Sequence, residues 1–295
     1  MINNILLIGG SGYLGTELRF HLKEQGRKVS YSGTKAKNEI DYFEIDFNCT
    51  ETFNNIKGFQ FDLVIILASK LNAIITKDLG HNDLMTNTLD YGRLLQFLND
   101  NLLVKKIIYI SSMTVYSINN VSPVDENAKI GPQHTYGLSK VIAEDITNYY
   151  CMQNNISGII LRIPGIYGGN RKSGFIYSTL MKLQSNEVIE INTNGLGYWE
   201  TINVTDLSDL IINFIDNYAW PIGCDTINIS YGEETDIYKT AVTLKEMINS
   251  KSVIKLLKPI DYVKFYLSNN KLKQYIEVTC NYNETLKLYV NSLTL

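Results

Sequence analysis

Tyr136-Gly137-Leu138-Ser139-Lys140 sets a phenol and an ammonium four residues apart. On a helix, residues i and i+4 share a face, so the two groups can meet. An ammonium beside a phenol favours the phenolate and lowers its pKa toward working pH. Such a pair suits proton transfer to or from an oxygen. Tyr31 and Lys35 repeat the spacing at a strand end, where it does not put the groups on one helical face. A second polar group comes from Ser111-Ser112-Met113-Thr114-Val115-Tyr116. Ser112 follows a predicted parallel strand, at the end where α/β enzymes gather their active sites. Its hydroxyl can bond the same substrate oxygen that Tyr136 protonates.

A third motif opens the chain. Ile5-Leu6-Leu7-Ile8 is apolar enough for a buried parallel strand, and Gly9-Gly10-Ser11-Gly12-Tyr13-Leu14-Gly15 follows it. The glycines fit both G-x-G-x-x-G and G-x-x-G-x-x-G. Strand, glycine turn and helix in this order form a dinucleotide cradle. The pyrophosphate sits on free N–H groups at the helix N-terminus, where glycine lets the backbone come close.

Alternating strand and helix patterns supply the scaffold. Helices are expected at 13–25, 82–101 and 136–151, and strands at 28–32, 42–47, 61–67, 106–110 and 156–163. This alternation predicts βαβ units, hence an α/β, Rossmann-type doubly wound parallel sheet. From Pro164 the texture changes to glycine-rich turns and short segments: helices near 175–185 and 206–216, strands near 188–192 and 200–204. The expected organisation is a dinucleotide-binding domain at 1–168, to which 205–230 returns through a strand near 226–229. Residues 169–204 and 231–295 form a smaller C-terminal α/β substrate lobe, with the ligand site in the cleft between.

Bulk properties narrow the class. The 295 residues carry a net charge of −3, with 45% hydrophobic and 19% charged residues. That is a globular balance with no electrostatic case for nucleic acid or an acidic membrane. The first apolar run is too short for a signal peptide or a membrane span, so a cytoplasmic location is expected. Cys49, Cys151, Cys224 and Cys280 lie far apart in sequence, and neither His21 nor His81 has a partner at ligand spacing, so no metal site is expected. His134 reads first as a loop or cap histidine and second as a substrate contact.

Taken in order, Gly9–Gly15, Ser112-x-Thr114-Val115-Tyr116, Tyr136-x-x-x-Lys140 and Leu161-Arg162-Ile163-Pro164-Gly165-Ile166-Tyr167-Gly168 resemble the extended short-chain dehydrogenase/reductases, specifically the NAD(P)-dependent nucleotide-sugar epimerase/dehydratase/reductase group. The resemblance covers most of residues 1–210. It implies a catalytic trio of Ser112, Tyr136 and Lys140. The cofactor contacts it implies are Gly9, Gly12, Tyr13, Leu14 and Gly15, then Thr34 and Lys35, Asp46 and Phe47 near the adenine, and Ala68 and Ser69 in the loop beneath. Asn87 behind the site, Ser111 and Pro164 complete the set. Thr114, Gly165, Arg171 and Trp199 are the expected substrate contacts. A homodimer is plausible for such a family.

Departures from the pattern steer the functional expectation. Dehydratases of the group carry Asp-Glu after the catalytic hydroxyl residue, whereas this chain has Met113-Thr114, so dehydration lacks its acid and base. Members that prefer NAD place Asp at the end of the second strand. Here Gly33-Thr34-Lys35 stands there, and Lys35 or Lys37 could pair with a 2′-phosphate. The expectation is therefore an NADP-dependent reductase of a keto-sugar nucleotide. An NAD-dependent nucleotide-sugar 4-epimerase is the alternative, and a non-catalytic NAD(P)-binding regulator a third reading.

Overall fold

The computed structural model describes residues 2–70, 84–101, 104–191, 199–257 and 265–294. Asn82, the expected start of one helix, Asn192, the expected end of one strand, and His81 lie outside them.

Seven strands form one sheet in the order β3-β2-β1-β4-β5-β6-β10, and every pairing is parallel. They are β1 (Asn4–Ile8), β2 (Lys28–Gly33), β3 (Tyr42–Glu44), β4 (Leu63–Ile66), β5 (Lys106–Ser112), β6 (Ser157–Ile163) and β10 (Gly223–Asn228). Side chains alternate between the two faces of a strand. Ile5, Leu7, Leu63, Ile65, Ile108, Ile110, Ile159 and Leu161 point to one face, with α1 (Tyr13–Glu24) and α5 (Val204–Asn217). Leu6, Ile8, Val64, Ile66, Ile107, Tyr109 and Ile160 point to the other, with α2 (Tyr91–Asn101) and α3 (Thr135–Asn154). Both faces are covered, which is why the central strands read as unbroken apolar runs.

The remaining elements stand beside the C-terminal ends of these strands. β7 (Gly165–Tyr167) pairs with β9 (Thr201–Asn203), and β8 (Ile189–Ile191) pairs with β11 (Ile254–Leu256). α4 (Phe175–Gln184), α6 (Ile237–Met247) and α7 (Tyr282–Thr294) pack around them. Ile176, Leu180, Leu244 and Leu286 join the same apolar cluster as the first face of the sheet, so one core runs through both regions.

Two departures from the expected pattern have a visible local cause. β3 stops at Glu44 because Asp46 leaves the ladder: its Oδ1 accepts from the Asn48 N–H at 2.9 Å, and its own N–H bonds Thr52 Oγ1 at 2.9 Å. The helix expected across 82–101 contains a π-turn at Thr86–Asp90. Asn87 there holds the backbone of Lys70 at both N and O, 2.8 and 2.9 Å, and Thr88 Oγ1 donates to the Leu84 carbonyl at 2.6 Å. These side-chain bonds compete with the regular helical ladder.

The close-packed interior makes one measurable demand. Leu161 is fully buried in the middle of β6. Leu161→Ala is expected to lower unfolding free energy by about 2–5 kcal/mol, read from urea midpoints at unchanged slope.

Candidate active site

At the C-terminal ends of β1, β4 and β5, two cavities of about 250 and 510 Å³ share Gly9, Gly12, Leu67 and Ser69 in their walls, so they join as one trough. The glycine loop crosses its floor. Gly9 has φ +83°, and a Cβ there would lie 2.7 Å from the Ala68 nitrogen, so no other residue fits without moving the backbone. α1 begins at the trough with no side-chain cap and no acidic residue in its first turn. Its first N–H groups therefore suit an anion. Ser69 Oγ is buried there without a hydrogen-bond partner. A glycine floor, an uncapped helix start and an orphaned hydroxyl are the features a dinucleotide would satisfy.

The smaller cavity brings together Thr34, Asp46, Phe47 and Ala68 with Ser11 of the glycine loop and Gly33, and adds Thr86, which the sequence did not single out. The larger takes in Tyr13, Leu14, Gly15, Ser111, Ser112, Thr114, Tyr136, Lys140, Pro164, Gly165, Arg171 and Trp199. Lys35 and Asn87 are in neither wall. Lys35 is exposed, and its carbonyl accepts from the Tyr42 hydroxyl. Asn87 is buried behind the trough and bonds Ser139 Oγ at 3.1 Å as well as the Lys70 backbone.

β5 runs two residues further than expected, to Ser112, and this carries both serines into the site. They do different work. Ser111 donates its hydroxyl inward to Glu144 Oε1, so only the rest of the residue faces the cavity. Ser112 Oγ accepts from the Thr114 N–H at 3.2 Å and from Thr114 Oγ1 at 3.0 Å. A hydroxyl has two lone pairs and one proton. With both lone pairs engaged, Ser112 has its proton left to donate.

α3 positions the phenol and the ammonium. Its first turn lies against the loop after β5: a Cβ on Gly137 would come within 2.5 Å of the Thr114 carbonyl oxygen. Glycine thus permits the close approach that brings Tyr136 to Ser112's cavity. One turn on, Lys140 Nζ donates to the Ile110 carbonyl at 2.8 Å and lies 4.6 Å from the Tyr109 ring centre and 5.7 Å from that of Tyr136. A further turn on, Glu144 meets Arg162 of β6, at 2.6 Å for the shortest contact, with both side chains buried.

Burial governs both titrating groups. It pushes the Lys140 ammonium down to about 7, against the pull of Glu144 in the other direction. It pushes the Tyr136 phenol up to about 12. Ser69 faces that phenol and works slightly against the rise, although the two hydroxyls do not meet at ordinary hydrogen-bond geometry. The expectation of a phenol pKa lowered by the neighbouring lysine is thus corrected. Desolvation outweighs the charge, and the ammonium is turned onto a backbone carbonyl.

The far wall holds charges and unpaired donors. Arg171 lies 5.4 Å from the Tyr13 ring centre and donates to the Ile166 carbonyl at 3.1 Å. Trp199 packs edge-on against Phe175, with Nε1 unpartnered, and Thr201 Oγ1 is likewise unpartnered. Glu200 is buried between them, accepts from Ser230 and from the Leu267 N–H, and is pushed up to about 8 by desolvation. No grouping of side chains able to hold a metal ion occurs among the described residues. No helix among them is long and apolar enough to cross a membrane.

The chain and its fold are similar to those of known proteins. The chain is 28% identical over 276 residues to the dTDP-4-dehydro-6-deoxyglucose reductase of Escherichia coli, covering 88% of this chain and 86% of that protein. It is 24% identical over 288 residues to the UDP-glucose 4-epimerase of Bacillus subtilis, covering 84% and 83%. The fold matches that of a UDP-glucose 4-epimerase from Thermotoga maritima with a TM-score of 0.81 at 22% identity, over 99% of this chain and 98% of that one. Residues 5–230 match the NAD dependent epimerase/dehydratase family. The chain belongs to that family, and it is an NAD(P)-dependent enzyme of the extended short-chain dehydrogenase type.

Proposed function

We propose that this enzyme is an NADP-dependent reductase of a keto-sugar nucleotide, of the 4-keto-6-deoxy type. The observation that carries the reading is the convergence of two hydroxyl donors, Ser112 and Tyr136, on one cavity. Tyr136 is pushed up to about 12, so at neutral pH its phenol holds a proton to give. Ser112 likewise has a proton to donate, and positions 113 and 114 offer no carboxylate. A site furnished with donors suits a carbonyl oxygen that gains negative charge. The likeness to a dTDP-4-dehydro-6-deoxyglucose reductase points the same way.

When bound, the reduced nicotinamide supplies a hydride to the carbonyl carbon. Ser112 donates to the carbonyl oxygen and holds it in place. Tyr136 gives that oxygen its proton, so the product is the alcohol. Lys140, anchored on the Ile110 carbonyl, sets its charge beside Tyr136 and is placed to hold the nicotinamide ribose. Gly9, Gly12 and the start of α1 hold the pyrophosphate. Asp46, Phe47 and Ala68 flank the adenine. Gly33 and Thr34 leave the 2′ position free of carboxylate, and Lys35, which makes no ion pair among the described residues, stands nearby for a 2′-phosphate. Lys37 has Glu39 at 4.0 Å and contributes less. Arg171 and Trp199 flank the nucleotide part of the substrate.

The second reading is an NAD-dependent nucleotide-sugar 4-epimerase, favoured by relatives such as the Bacillus subtilis enzyme. The same trio serves it, and the absence of Asp at the end of the second strand, where Gly33-Thr34-Lys35 stands, argues against it.

Two measurements test these assignments. NADPH is expected to bind more tightly than NADH by fluorescence titration, and dTDP-4-keto-6-deoxyglucose to consume it. Tyr136→Phe should lower kcat by roughly 10²–10⁴. Undiminished turnover by that variant refutes the assignment, whereas interconversion of UDP-glucose and UDP-galactose with no net NADPH use selects the epimerase. The second measurement is of stability. A folded pKa near 7 for Lys140 lies below the unfolded value of 10.5, so the unfolded chain binds more protons between those values. The cost of burying the charge is full below pH 7 and fades as pH rises to 10.5. Wild-type stability measured relative to Lys140→Met should therefore rise by about 1.4 kcal/mol per pH unit across that window. A flat difference across the same window excludes a buried lysine titrating there.

A further inference from the structure

His134 caps α3, and it does so with the less usual choice of residue. Serine, threonine, aspartate and asparagine are the strong N-caps. Here the imidazole Nδ1 accepts from the Gly137 N–H at 3.1 Å. That bond settles which ring nitrogen carries the proton. An acceptor nitrogen has no hydrogen, so in the neutral ring the hydrogen is on Nε2. Half-burial lowers the ring's pKa, which favours the neutral form.

The ring also lines the larger cavity. It lies roughly parallel to the Tyr136 ring, with centres 6.2 Å apart and planes at 28°. One sugar residue can touch both. Among the described residues Nε2 has no protein partner, and it is not sealed from solvent. The cavity therefore contains a donor whose direction of hydrogen bonding is set by the helix it caps.

We propose that His134 is a specificity-determining residue, its Nε2–H donating to a hydroxyl or carbonyl oxygen of the substrate's sugar next to the carbon that reacts. This inference rests on the sugar-nucleotide reading of the site. It adds a third donor to Ser112 and Tyr136 and ties sugar recognition to the turn that positions the catalytic phenol. A sugar with an oxygen at that place gains the bond. An analogue lacking it leaves Nε2–H desolvated and unpaired, and such a site rejects it.

The test separates capping from recognition. His134→Asn keeps an acceptor for the Gly137 N–H but is too short to present the donor. The variant should melt and bind NADPH as the wild type does. Its KM for dTDP-4-keto-6-deoxyglucose, and its Kd for UDP-glucose by calorimetry, should rise about tenfold, equal to about 1.4 kcal/mol, with the effect in KM rather than kcat. Wild-type binding of a sugar nucleotide together with unchanged constants in His134→Asn overturns this inference alone. Failure of the wild type to bind either sugar nucleotide overturns it along with the proposed function. If His134→Asn does not fold, ¹⁵N spectra of the three histidines in the wild type decide. An Nε2–H tautomer at His134 that shifts on adding UDP-glucose supports the inference. An Nδ1–H tautomer, or no shift, overturns it.

Discussion

Arg162 reaches from β6 into the space beneath α3 and meets Glu144 there through both guanidinium and carboxylate edges, with solvent nearly excluded. Around that pair the site is assembled. Glu144 also takes the Ser111 hydroxyl, which ties β5 to the same point, and Arg162 reaches the Glu126 carbonyl and stands 4.7 Å from the Tyr116 ring centre. Three elements are thereby held in one register, and α3 cannot rotate without breaking a buried charge contact. A buried ion pair adds little net stability over apolar packing, but removing one partner strands the other at a cost of about 3–5 kcal/mol. What it contributes is orientation. Lys140 and Tyr136 lie one and two turns before Glu144, so their bearing toward Ser112 follows from where Glu144 is pinned.

The trough is polarised along its length by backbone as much as by side chains. At one end the uncapped start of α1 presents N–H groups, and at the other hydroxyls present protons. Carboxylates are kept out of the reacting end or kept neutral there. Ser111 and Arg162 engage Glu144 away from the cavity, and Glu200 is desolvated until its acid form prevails at neutral pH. The chain thus shapes charge in the cavity by burying acids as well as by omitting them.

Much of this was legible because it is local. The sheet is visible in runs such as Ile5–Ile8 and Phe61–Leu67, since parallel strands covered on both faces must be apolar throughout. The glycine loop, Ser112 and the Tyr136/Lys140 pair were legible because each acts through neighbours a few residues away. What stayed hidden is carried by distant contacts. Glu144 meets Arg162 eighteen residues on and Ser111 thirty-three back. The π-turn at Thr86–Asp90 falls where Asn87 grips Lys70, seventeen residues earlier, and no periodicity foretells that. The protonation of Tyr136 and Lys140 was misjudged for a related reason. Charge spacing can be read along a chain, but the degree of desolvation depends on everything packed around it.

The sheet's outer strand carries a consequence for biosynthesis. β10 pairs with β6 along its whole length, yet it follows β6 in the chain by some sixty residues, after β7, α4, β8, β9 and α5. On the ribosome, β6 therefore emerges and pairs with β5 well before its other neighbour exists. Its seven residues are all buried in the finished protein. Until β10 arrives, that apolar strand is an open edge able to recruit a strand from another nascent chain. That edge stays open over the synthesis of residues 163 to 228, until β10 is complete.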